Sequence, residues 1–235
     1  MLSSPKLWGK NVVVKKKISV VIPALNIGEG ISPTLDSIKG RVNDIVVSDG
    51  WSSDQTAAFA RKFGARVVSG LRGRGPQLCR GAEVARGDWL LFLHADTVLE
   101  EGWFEETQTF MKAGLGKAAV FQFALNDLRW EARLIEKGVA LRCKLLALPY
   151  GDQGLLISRS FYEELGGFKP IPLFEDVDMI RRIGRRRLVY FKSRAMTSAL
   201  GYQSGSFYLR PLKNLILLLF YYLGVSPHYL AGFYK

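Results

Sequence analysis

Gly87-Asp88-Trp89-Leu90-Leu91-Phe92-Leu93-His94-Ala95-Asp96-Thr97 begins on a turn, runs through five apolar residues and stops at a histidine and a carboxylate. The run reads as a buried strand, and its abrupt end on Asp96 demands compensation, because burying a lone charge is costly. Upstream, residues 18–22, 44–48 and 66–69 form further short β-branched runs, with helical patterns between them over 29–39, 54–63 and 76–86. Asp54 and Pro76 suit helix starts, and Gly40, Gly64 and Gly87 suit stops. Strands separated by single helices imply right-handed crossovers and an α/β fold, a mostly parallel sheet with helices on both faces. Ligands of such sheets bind beyond the carboxyl ends of the strands, where residues 23–26, 49–54 and 94–97 fall.

The second half is less regular. Residues 118–125 read as a strand, and 129–146 and 174–182 as helices. Internal repeats and low-complexity linkers are missing, so the expected organisation is an N-terminal extension over 1–17, one α/β domain over 18–205 and a C-terminal apolar helical segment over 206–235. At 235 residues and 48% hydrophobic the chain can bury a full core. Its 33 Lys and Arg against 21 Asp and Glu, net +12, favour an anionic partner. Two cysteines, Cys79 and Cys143, exclude a disulfide scaffold and read as small buried residues, while two histidines, His94 and His228, argue against a zinc site. Residues 1–17 carry no secretory pattern, which predicts a cytoplasmic protein. The apolar run at 215–225 is shorter than the roughly 20 residues a spanning helix needs. It packs on the core or, with Arg210 and Lys213 beside it, makes a peripheral contact through 213–225 with the inner face of a membrane.

Chemistry concentrates at the strand ends. In Val46-Val47-Ser48-Asp49-Gly50-Trp51-Ser52-Ser53-Asp54, Asp54 is explained as a helix cap, whereas Asp49 is placed to accept hydrogen bonds from a base or a ribose. At Asp96 a hard divalent cation, Mg²⁺ or Mn²⁺, shared with a diphosphate resolves the charge. His94 is a second ligand, a hydrogen-bond donor to sugar or phosphate, or a satisfied structural histidine. Arg72, Arg74 and Arg80 flank a helix start, where guanidinium forks and backbone N–H groups hold phosphate. Glu175, Asp176 and Asp178 crowd a helix start, and the helix dipole accounts for one or two of them. Asp152 and Gln153, in a Gly-flanked loop, are sugar or acceptor contacts if they are more than a turn. A nucleic-acid-binding module is the reading from another class, but the basic residues are dispersed and no aromatic-basic platform is visible. A nucleotidyltransferase would carry a Gly-rich loop with a lysine where Pro23-Ala24-Leu25-Asn26 stands.

Ile18-Ser19-Val20-Val21-Ile22-Pro23-Ala24-Leu25-Asn26, the Asp49 turn, the 87–97 strand and the Glu175-Asp176 pair stand in the order and spacing of family 2 glycosyltransferases of the GT-A fold, which the chain resembles. The resemblance implies a UDP-sugar donor contacted by Pro23, Ala24, Asn26, Asp49, Arg72, Arg74, His94 and Ala95. It implies a metal at Asp96, a catalytic carboxylate at Asp176 with Glu175 beside it, and uracil or ribose at Asp49. His94-Ala95-Asp96-Thr97, Leu148-Pro149-Tyr150-Gly151-Asp152-Gln153-Gly154, Leu173-Phe174-Glu175-Asp176-Val177-Asp178 and Leu223-Gly224-Val225-Ser226-Pro227 are similar to a narrower group tied to arsenosugar and selenosugar biosynthesis. For that group the implied acceptor is selenophosphate or another small anion. A second reading keeps the fold but makes the enzyme membrane-associated through its apolar tail and its acceptor a polyprenyl phosphate. The sequence departs from the general family at His94, where the first Asp of a DxD motif is usual, at Ile27-Gly28, at Cys79 in place of Asn and at Trp51 in place of Gly.

Overall fold

The computed structural model describes residues 16–199 and 209–234. Its strands are β1 Ile18–Ala24, β2 Asp44–Asp49, β3 Arg66–Ser69, β4 Trp89–Phe92, β5 Thr97–Leu99, β6 Ala118–Leu125, β7 Leu155–Ser158 and β8 Leu188–Thr197. The helices are α1 Ser32–Ile38, α2 Thr56–Lys62, α3 Arg74–Val84, α4 Trp103–Ala113, α5 Trp130–Leu146, α6 Arg159–Glu164, α7 Glu175–Ile183, α8 Leu209–Tyr222 and α9 Pro227–Ala231. All eight strands join one sheet in the order β3-β2-β1-β4-β7-β6-β8-β5. The pairings β3-β2, β2-β1, β1-β4 and β6-β8 are parallel, as the alternating strands and helices predict. Antiparallel pairings enter with β7 and β5, two short strands that the sequence reading leaves unassigned.

Both faces of the sheet are covered. Along β1, Ile18, Val20 and Ile22 point to a core shared with Leu35 and Ile38 of α1 and Trp103 and Met111 of α4. Val21 points the other way, towards Leu78 and Ala82 of α3 and Val177, Ile180 and Ile183 of α7. A side chain carries about 1.5–3 kcal/mol when fully buried, so two such cores hold the strand ends rigidly. The approach of α3 to β1 is close: a Cβ at Gly81 would stand 2.4 Å from Val21 Cγ1. Helix α3 starts at Arg74, two residues before the expected Pro76, because a proline in the first turn removes an N–H that has no partner anyway. Helix α1 is shorter than expected, with a 3₁₀ turn at Gly28–Ile31 in front of it.

In the C-terminal segment Leu217, Leu218 and Leu230 are buried in the α3-side core, and the Tyr221 ring meets Phe174 at 5.1 Å. Core packing therefore holds for one face of α8. Among the described residues no helix is long and apolar enough to cross a membrane. Most of the N-terminal extension, residues 1–15, and the boundary expected at 205–206 lie outside the described residues, as does the side chain of Arg210.

Candidate active site

From β1 the chain runs sideways to β2 and β3 on one side and, after β3, crosses to β4 on the other, so the order reverses between β1 and β4. The crevice beyond their carboxyl ends is where a doubly wound sheet takes its ligand. Pro23 and Ala24 end β1, Asp49 ends β2, and His94 to Asp96 follow β4.

The nucleotide side of the crevice is built by short hydrogen bonds between loops. Asn26, in the left-handed region that its short polar side chain tolerates, donates its N–H to the Ser52 hydroxyl oxygen at 2.9 Å, and its Oδ1 accepts from Ser53 N–H at 2.9 Å. Trp51 adopts φ 61° and is 63% exposed at the rim, a conformation that glycine would take more easily. Gln77, which the sequence reading passes over, is buried; its amide donates to the carbonyls of Ala24 and Ser48 at 2.7 Å each, locking the ends of β1 and β2 together. Asp49 is 3% exposed. Its Oδ2 accepts from Ser52 N–H at 3.1 Å, while its Oδ1 is buried with no hydrogen-bond partner. Arg80 donates to the carbonyls of Asp49 and Leu71 and so supports this loop from below. Arg72 is exposed, with its backbone against Gly50.

At the end of β4, the Ala95 carbonyl accepts from the Thr34 hydroxyl at 2.9 Å and the Asp96 carbonyl from Ser198 N–H at 3.1 Å, so the turn is held from two sides. His94 Nδ1 and Asp96 Oδ1 are hydrogen-bonded to each other. Burial pushes the Asp96 carboxyl up, but the His94 imidazole and the more distant Arg74 hold it below its ordinary value, so it stays charged. Among the described residues no three His, Cys, Asp or Glu side chains gather into a metal cage. One carboxylate and one imidazole suit a hard divalent cation when substrate phosphate oxygens supply further ligands, and the residues present fit a metal held in that way.

Across the crevice, α7 presents its first turn. Arg74 reaches over from α3: its Nε lies 2.9 Å from Glu175 Oε1 and its Nη2 3.7 Å from Asp176 Oδ2. A Cβ at Gly151 would fall 1.7 Å from that Nη2, so glycine is what lets the guanidinium pass. Asp176 Oδ2 accepts from Gly151 N–H at 2.8 Å. Burial raises the Glu175 carboxyl, Arg74 opposes this and Asp176 adds to it. Burial likewise raises Asp152, whose Oδ1 is buried with no hydrogen-bond partner. Gln153 is turned into the core, its amide donating to Phe121 O at 3.0 Å and its oxygen accepting from Tyr150 N–H at 3.4 Å. Of that expected pair of contacts, Asp152 alone has an open valence. Asp178 pairs with Lys169 and Arg182 on the far side of α7, a structural role that spacing did not separate from that of Asp176. Pro23, Arg74, His94, Tyr150, Gly151 and Asp176 thus line one cleft.

A sheet with a crevice at its switch point, a carboxylate after β4 and a second carboxylate pair facing it suits a glycosyltransferase of the GT-A class. The family model described as glycosyl transferase family 2 matches residues 19–151, more than half of the chain. The chain belongs to that family. Glucosyl-3-phosphoglycerate synthase of Mycolicibacterium paratuberculosis is 35% identical over 96 residues, covering 35% of this chain and 29% of that protein. A PGL/p-HBAD biosynthesis glycosyltransferase of Mycobacterium bovis is 36% identical over 93 residues, covering 35% of this chain and 36% of that protein. The match therefore spans about a third of these relatives' length. Among solved structures, glucosyl-3-phosphoglycerate synthase from Mycobacterium tuberculosis in complex with Mn²⁺, uridine diphosphate and glucosyl-3-phosphoglycerate superposes with a TM-score of 0.54 at 23% identity, covering 78% of this chain and 70% of that one. Mannosyl-3-phosphoglycerate synthase from Rubrobacter xylanophilus gives 0.59 at 18% identity, covering 89% and 73%. At these identities the likeness is one of fold.

Proposed function

We propose that the protein transfers a sugar from a UDP-sugar to a small acceptor that carries a phosphate-like oxyanion. The observation that carries this reading is Asp49 Oδ1, a buried carboxylate oxygen without a donor at the end of β2. An unmade hydrogen bond there costs about 1–3 kcal/mol, and the imide N–H of uracil or a ribose hydroxyl would make it. Asp96, with His94 beside it, would hold Mg²⁺ or Mn²⁺, which when bound neutralises charge on the leaving diphosphate. Pro23, Ala24, Asn26, Arg72 and Ala95 would form the walls around the donor. Asp176, held by Gly151 N–H and facing the cleft, would take or orient the acceptor's proton; an acceptor already ionised needs only orientation. Glu175, buried on Arg74, would position that arginine rather than touch the acceptor.

The Mn²⁺, uridine diphosphate and phosphorylated product in the M. tuberculosis structure support the metal, the donor and an anionic acceptor. Selenophosphate, implied by the narrower sequence resemblance, shares the acceptor chemistry. UDP release should be measured with several UDP-sugars, with and without Mn²⁺, against 3-phosphoglycerate, selenophosphate and a polyprenyl phosphate. The expected result is metal-dependent release with a small oxyanion acceptor, lost in Asp96→Ala. Turnover that survives Asp96→Ala unchanged would remove the metal assignment, and turnover with the polyprenyl phosphate alone would replace the acceptor class.

A further inference from the structure

Residues 179–235 contain ten Lys and Arg and not one Asp or Glu, so the last quarter of the chain supplies ten of its twelve net positive charges. Exposed apolar surface concentrates in this quarter and in α5. Of the twenty large apolar side chains exposed among the described residues, fifteen fall within 128–146 and 215–234. In α5, Trp130, Leu134, Leu141 and Leu145 recur at intervals of four, seven and four, which places them in one stripe along the helix, and each is at least 49% exposed. In α8, Leu217 and Leu218 face the core, while Leu219 and Phe220, with Leu223 just past the helix end, are exposed. Exposed apolar surface that is contiguous marks an interaction site more often than scattered single residues do.

The two apolar helices meet across a cationic turn. Arg185, just after α7, donates to the carbonyls of Lys144 and Leu145 at the end of α5. Arg181, one helical turn earlier, lies 5.0 Å from the Tyr222 ring centroid at the end of α8. Ring faces and carbonyls leave both charges in place, and among the described residues neither arginine makes an ion pair. Apolar and aromatic side chains flanking uncompensated arginines match the boundary between headgroups and acyl chains of an anionic bilayer. A second copy of this chain fits less well, since it would bring the basic 179–235 portion of this surface, which holds no Asp or Glu, against itself. We propose that the α5 stripe and the outer face of α8 form a docking surface for an anionic membrane, beside the mouth of the cleft at Tyr150.

Sedimentation of the full chain with vesicles of phosphatidylcholine alone, and of phosphatidylcholine mixed with phosphatidylglycerol, tests this without any turnover. Binding is expected with the mixed vesicles, falling as salt is raised. Leu219→Ser and Phe220→Ser together should lower it at least tenfold, and Arg181→Gln about fivefold. Circular dichroism and UDP binding by each variant report whether it is folded and whether its site is intact. Equal sedimentation with both vesicle types, or none with either, overturns the proposal. So does a concentration-dependent dimer, seen in analytical ultracentrifugation, that Phe220→Ser dissociates, because the face would then be an interface between copies.

Discussion

At the scale of single residues the site depends on a few atoms whose hydrogen-bonding is set by neighbours far along the chain. Asp49 Oδ1 is the sharpest case, since Ser52 N–H satisfies its twin oxygen and nothing satisfies it. Replacing Asp49 by Ala should weaken UDP binding by about ten- to a hundredfold, the size of a charge-assisted hydrogen bond. Isothermal titration calorimetry would read this, with Asp176→Asn as the control that leaves UDP affinity unchanged. Gly151 is the second case. A methyl group there collides with Arg74 Nη2, so Gly151→Ala should displace the guanidinium from Glu175 and Asp176 and lower kcat by about a hundredfold. An unchanged kcat would show that Arg74 does not organise the acceptor side.

Between elements, the edge of the sheet opposite the site is fastened by one carboxylate. Asp44, at the start of β2, accepts from Ser19 Oγ of β1 at 2.7 Å, from both arms of Arg66 of β3 at 2.9 and 2.8 Å, and from Arg86 N–H beyond α3 at 3.0 Å. Burial pushes the Asp44 carboxyl up, but the Arg66 fork, the Ser19 hydroxyl and the Arg86 N–H together hold it below its ordinary value. A carboxyl whose folded value is lowered contributes stability above its unfolded value, and that stability is lost as pH falls through the folded one. Asp44→Asn should therefore cost on the order of 2 kcal/mol at neutral pH. The gap between the two melting curves should narrow once pH drops below about 4. A gap independent of pH would mean that the charge of Asp44 is not what fastens the strands.

For the molecule as a whole, donor binding is expected to be cooperative with the metal, because Asp96 and His94 offer too few ligands for a cation without the diphosphate. Thermal shifts should be small with Mn²⁺ alone and reach roughly 5–10 °C with UDP and Mn²⁺ at about a hundredfold over Kd. Equal shifts with and without the metal would contradict the shared site. Residue pattern alone suffices for the parallel half of the sheet and for Asp49 and Asp96 at strand ends, because a buried strand is an unbroken apolar run and its end is where polarity returns. The family resemblance singles out Asp176, where spacing alone leaves Asp176 and Asp178 equivalent. Spacing cannot carry contacts that form only across the folded chain. Strand β8 was illegible because Lys192 and Arg194 interrupt it on the face turned from the core, and β5 because it has three residues. Gln153 was drawn inward by the Phe121 carbonyl. Arg74 was drawn to Glu175 from a hundred residues away, since a buried charge takes whichever opposite charge folding brings nearest.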